Sequence, residues 1–139
     1  MPPSSLKRIR WFAAIYAALI VLAVVLADDG QYQFVFAWIR GVPGGDKVGH
    51  FCLMGGLAFV VNLALGLRHF TLGRWQFLLG SAIVGALVLV EEISQAWFPS
   101  RTFDLGDLTF DFLGIICFGW LAKRLVQRVS SVPEHPTQP

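Results

Sequence analysis

The sequence predicts an all-α fold, a small polytopic bundle of about four transmembrane helices, and three observations carry that expectation. Of 139 residues, 55% are hydrophobic and only 14% charged, whereas an ordinary soluble domain carries about 25% charged residues. The apolar residues fall in runs near the length that crosses a bilayer, about 20 residues each. The charges between those runs are sorted by sign. Four such runs leave room for loops and tails but not for a separate soluble domain. The expected organisation is a cytoplasmic N-terminus over 1–10, a single membrane domain over 11–129 and a disordered cytoplasmic tail over 130–139.

The first span is expected at about 11–27, between Lys7, Arg8, Arg10 and the pair Asp28-Asp29. Its basic start and the small-residue pattern Val25-Leu26-Ala27 also fit a cleavable signal, but its apolar run exceeds the usual 7 to 15 residues, which favours retention. The six apolar residues at 34–39 are too few to cross and read as a short interfacial segment. After Gly41, Pro43, Gly44 and Gly45, the second span runs about 48–67, with a short turn over 68–74. The third is expected at about 75–97, its helix continuing past Val90 through Glu91, Glu92 and Gln95 until Pro99-Ser100 ends it. The fourth covers about 105–122 and stops at Lys123-Arg124.

On this arrangement eight of the eleven basic residues, among them Lys7, Arg8, Arg68, Arg74, Lys123 and Arg124, fall on one side. The positive-inside rule places that side in the cytoplasm, with both termini inside. Eight of the nine acids fall on the other side, with Arg40, Lys47 and Arg101. A formal net charge of +2 therefore divides into +7 inside, where Glu134 is the one acid, and −5 outside. Cys52 and Cys117 lie in apolar stretches without a Cys-x-x-Cys spacing, which suggests neither a zinc site nor a disulfide framework. Scattered juxtamembrane cations without a basic face exclude nucleic acid as a partner; the bilayer is the expected one.

Two outer segments hold most of the polar chemistry, Asp46 to His50 and Glu91 to Asp111. On helices, Asp46 and His50 share a face, as do Glu92 and Gln95, and Asp107 and Asp111. Ionisable groups at membrane depth are costly enough to mark a functional site by default. Singly, each has a structural explanation. Asp46 and Asp104 fit helix caps, His50 a core histidine, Asn62 an interhelical polar contact, and Arg101 a counter-charge for Glu92 or Asp107. Ser81, Ala82, Gly85 and Ala86 read as small-residue packing. Together, Asp46, Lys47, His50, Glu92, Gln95, Arg101, Asp104, Asp107 and Asp111 form one candidate cluster for binding a ligand.

The order Asp46-Lys47-x-x-His50-Phe51, Glu92-x-x-Gln95, Arg101-Thr102-Phe103-Asp104-x-x-Asp107 and Gly114 resembles the VanZ-like family of bacterial membrane proteins over about 46–119. Asp111 stands where that family usually has asparagine, and Met54 where tyrosine is common. The resemblance implies a multi-pass protein of the bacterial cytoplasmic membrane, within a family whose namesake is associated with resistance to the glycopeptide teicoplanin. It supplies no established reaction.

Four functional classes follow. The first is a binder of a lipid-linked or cell-wall precursor head group, in which Lys47 and Arg101 hold anionic groups and the carboxylates hold amines or sugars. The surplus of acids then calls for Mg²⁺ or Ca²⁺ beside any phosphate, although no cofactor or metal motif is evident. The second is an enzyme with His50 or Glu92 as general base and Arg101 as electrostatic stabiliser. The third is a proton-linked transporter relaying through His50, Glu92 and Asp111, for which four short helices require oligomerisation. The fourth, a plain structural anchor, does not account for the clustering.

Overall fold

A computed structural model describes residues 3–28, 44–95 and 104–130. Among the described residues the chain is mostly helical, with four helices: α1 (Pro3–Asp28), α2 (Gly45–Ala64), α3 (Leu79–Gln95) and α4 (Leu105–Ser130), and a two-stranded hairpin, β1 (His69–Leu72) and β2 (Trp75–Leu78), between α2 and α3. The segment expected at 34–39, the residue Arg101 and the tail over 131–139 lie outside the described residues, as does the side chain of Gln95.

Helix boundaries follow local chemistry. Pro3 opens α1, a position where its missing N–H costs nothing. Gly44 precedes α2 with φ of 74°. The helix ends earlier than the apolar pattern implies because Gly66 and Leu67 both adopt positive φ, 63° and 55°. The Gly66 N–H then donates to Leu63 O and the Leu67 N–H to Asn62 O, the paired bonds of a Schellman stop. The second helix thus covers 45–64, where a span over 48–67 was expected.

Nor does the third helix start at Trp75. Phe70-Thr71-Leu72 and Trp75-Gln76-Phe77 alternate apolar and polar residues about Gly73-Arg74. That is a strand period with a two-residue hairpin turn, and it takes 75–78 into β2. At the other end of the chain α4 runs to Ser130, eight residues beyond Ala122. Arg128 lies in its last turn, where the helix dipole favours a cation, and Arg124 covers the Trp120 ring at 4.8 Å.

The helices run up, down, up, down. Arg10 donates to Ala64 O and Tyr16 to Leu53 O, making α1 antiparallel to α2. Ser81 meets Asn62 at one end of α3, and Glu92 meets Asp104 at the other. Thus α3 is antiparallel to both α2 and α4, and α2 and α4 are parallel. These last two share the most extensive contact. Glycine permits it: a Cβ on Gly114 would collide with Phe51 O, and one on Gly55 would lie 2.6 Å from the Phe118 ring, the small-residue packing that brings apolar helices together. Ile20, Leu57, Ala58, Val84, Val88 and Ile115 form the core. The outer surfaces stay apolar, with Trp11, Val21, Val90, Ile116 and Trp120 exposed.

Two helices, Gly45–Ala64 and Leu105–Arg128, are long and apolar enough to cross a membrane. At 17 residues, α3 spans about 26 Å at 1.5 Å per residue.

Candidate functional site at one end of the helices

Parallel packing of α2 and α4 carries the first turns of both helices to the same end, and the antiparallel α3 delivers its last turn there. Six residues of the expected cluster meet at this end: Lys47, His50, Glu92, Asp104, Asp107 and Asp111. Asp46 is exposed on the first turn of α2 and offers a carboxylate beside His50 and Asp107. The cap preceding α2 is Gly44, not Asp46.

Lys47 bridges two acids of α4. Its Nζ lies 3.3 Å from Asp107 Oδ1 and 3.7 Å from Asp104 Oδ2. The sequence expectation assigned such a counter-charge to Arg101; among the described residues Lys47 fills it for Asp107. Asp104 does serve as the cap of α4, accepting the Gly106 N–H at 2.6 Å. That bond, and then the nearby Lys47 ammonium, hold the Asp104 carboxyl below the ordinary carboxylate range.

His50 stands between two carboxylates. Its Nδ1 lies 3.1 Å and 3.2 Å from the two oxygens of Asp111, and its Nε2 is 3.7 Å from Asp107 Oδ2. A carboxylate only accepts, so Nδ1 donates to Asp111 and the lone pair of a neutral imidazole falls on Nε2. The Asp111 side chain is 3% exposed and that of His50 26%. The buried acid therefore fixes the ring, and the ring's other nitrogen faces the more open side. Ligand atoms of Asp46, His50 and Asp107 lie within 4.8 Å of one another. A divalent cation drawn to this group would have one nitrogen and two carboxylates to bind, with Asp111 orienting the imidazole from behind.

Glu92 is 2% exposed and accepts the backbone N–H of Asp104 at 2.7 Å. This satisfies a donor at the start of α4 that has no partner within the helix. Its observed bond therefore positions α4.

The i, i+4 spacings place Asp107 and Asp111 on one face correctly, yet spacing alone leaves the His50–Asp111 pairing hidden. It depends on the parallel register of two helices far apart in sequence. The same holds for Ser81, expected as packing only: Asn62 Nδ2 donates to Ser81 Oγ at 2.9 Å, and the Ser81 N–H donates to Asn62 Oδ1.

No protein-family model, curated protein or solved structure matches the chain.

Proposed function

We propose that this chain is a four-span protein of the bacterial cytoplasmic membrane, with both termini inside, whose outer rim binds the head group of a lipid-linked or cell-wall precursor. One observation carries the reading. At one end of α2 and α4, whose middle stretches are apolar, Lys47, His50, Asp104, Asp107 and Asp111 converge, and their bonds link the two helices. Charged groups kept at the edge of a bilayer core are expensive, and a ligand-binding role accounts for their retention. The VanZ-like pattern of Asp46, Lys47, His50, Glu92 and Asp107 supports the same assignment, and a link to glycopeptide resistance belongs to the proposal with it.

Among the described residues, both ion-pair partners of Lys47 are carboxylates of the rim. An anionic head group then binds through a divalent cation at Asp46, His50 and Asp107, with Arg101 as a further contact to phosphate. The second reading, an enzyme acting on the head group, draws on the orientation of His50. Asp111 holds the imidazole by Nδ1 and leaves the Nε2 lone pair beside Asp107, 3.7 Å away, an arrangement suited to a general base. The transporter reading gains no continuous path from the described polar groups: Asn62 and Ser81 bond to each other, a helix length away.

The test is to purify the protein, identify co-purifying lipids by mass spectrometry and repeat with His50→Ala, Glu92→Gln and Arg101→Ala. Binding predicts loss of the lipid in the His50 and Arg101 variants, and release from the unaltered protein by excess chelator. Lipid retained identically by all variants would sink the proposal, whereas turnover abolished in His50→Ala would select the enzyme.

A further inference from the structure

The hairpin at the opposite end of the bundle is the one pair of strands among the described residues. Strand pairing sets Phe70 opposite Phe77 and Leu72 opposite Trp75. Side chains alternate across a sheet, so these four share one face, and His69, Thr71, Gln76 and Leu78 share the other. The aromatic face is exposed: Leu72 is 68% and Trp75 61% accessible. Phe70 and Phe77 stack with ring centroids 5.7 Å apart, so the two strands' aromatic side chains adjoin on this face.

This ribbon is also held in place. Its turn is Gly73-Arg74, with Gly73 at φ of 61° and Arg74 not at positive φ, the pattern of a type II′ turn that suits a hairpin. The Leu79 N–H donates to Arg68 O, and β2 runs into α3 without a loop. An isolated two-stranded hairpin is marginal in water; one with four large apolar side chains on one face needs a medium to cover them.

Charge identifies that medium. Arg68 precedes the hairpin and Arg74 lies in its turn, where the guanidinium covers the Trp75 ring at 5.3 Å. Arg10 reaches Ala64 O at the same end, and α4 arrives there with Lys123 and Arg124. Among the described residues, all seven acids lie on the opposite half of the bundle, in the last residues of α1, the start of α2, the end of α3 and the start of α4. An amphipathic ribbon with Trp and Phe on one face, ringed by Lys and Arg, is matched to a bilayer interface rich in anionic lipid.

We propose that the 69–78 hairpin is a membrane-interface anchor, its Phe70, Leu72, Trp75 and Phe77 face lying in the headgroup–acyl boundary while Arg68 and Arg74 bind anionic phospholipid. The inference shares with the functional reading only the premise that the helices are in a membrane. It is independent of the rim around His50.

The full chain, with Cys52 and Cys117 replaced by alanine, is reconstituted in bilayers of phosphatidylglycerol and phosphatidylcholine and carries a nitroxide at either Leu72→Cys or Gln76→Cys. At 72 the label should collide more with oxygen than with a water-soluble nickel chelate, and at 76 the preference should reverse. In the unlabelled protein, Arg68→Gln and Arg74→Gln should each lower retained phosphatidylglycerol, relative to phosphatidylcholine, by up to about fivefold. Equal chelate access at both labels overturns the proposal, as does spin–spin broadening at 72, which would seat a second copy on this face. A His50→Ala variant with unchanged label accessibility but lost precursor binding separates failure of the anchor from failure of the rim.

Discussion

At the residue scale, the three buried polar side chains among the described residues, Asn62, Glu92 and Asp111, each bond a neighbouring element. Asn62 accepts the N–H of Ser81 early in α3, Glu92 accepts the N–H of Asp104 at the start of α4, and Asp111 accepts from His50. The first two answer the same need, since N–H groups at a helix start have no partner within the helix and an apolar medium supplies none. Glu92→Ala should therefore cost about 1–3 kcal/mol, the penalty for an unsatisfied buried donor. Glu92→Gln keeps a carbonyl acceptor and should cost clearly less. Thermal unfolding in micelles separates the two; equal losses would show that the Asp104 N–H does not depend on this oxygen.

Elements are held together by how closely glycine lets them approach. Gly114 on α4 packs against the Phe51 backbone of α2, next to the His50–Asp111 pair, whereas a Cβ at Gly49 meets nothing within 4 Å. Alanine at 114 should destabilise by about 1–3 kcal/mol through overpacking. At 49 it should be neutral or stabilise by up to about 1 kcal/mol, since glycine is a poor residue for a helix interior. Denaturant titration of both variants checks the contrast, and a Gly114→Ala variant as stable as Gly49→Ala would mean that α2 and α4 do not touch there. The hairpin teaches a different lesson at this scale. Its alternation over 70–77 is visible in the sequence, but a count of consecutive apolar residues absorbs Trp75–Leu78 into the following helix.

For the whole molecule, the up–down arrangement puts the basic segments at one end and the acidic helix ends at the other. If that axis crosses a membrane with its basic end inside, Leu105→Cys in a cysteine-free background should react with an impermeant thiol reagent applied to intact cells, and Thr71→Cys should not. Leu105 is 67% exposed, and it suits the test better than Gly106, where a Cβ would lie 2.8 Å from both Asp104 Oδ1 and Lys47 Nζ. Labelling at 71 with protection at 105 would invert the topology and move the rim to the cytoplasm.

The sequence by itself determined the helical class, the approximate position of each helix, the polarity of the charges and the identity of nearly every polar residue at the rim. These are local properties: hydrophobic periodicity, glycine and proline breaks, and charge counted between apolar runs. Only the tertiary structure decided which groups pair. It set Asp111 behind His50, Lys47 between Asp104 and Asp107, Glu92 on the start of α4, and Ser81 on Asn62. Each contact joins helices whose relative register is fixed by glycine packing and helix direction. That register depends on residues up to 61 apart in the chain, beyond the reach of any local pattern.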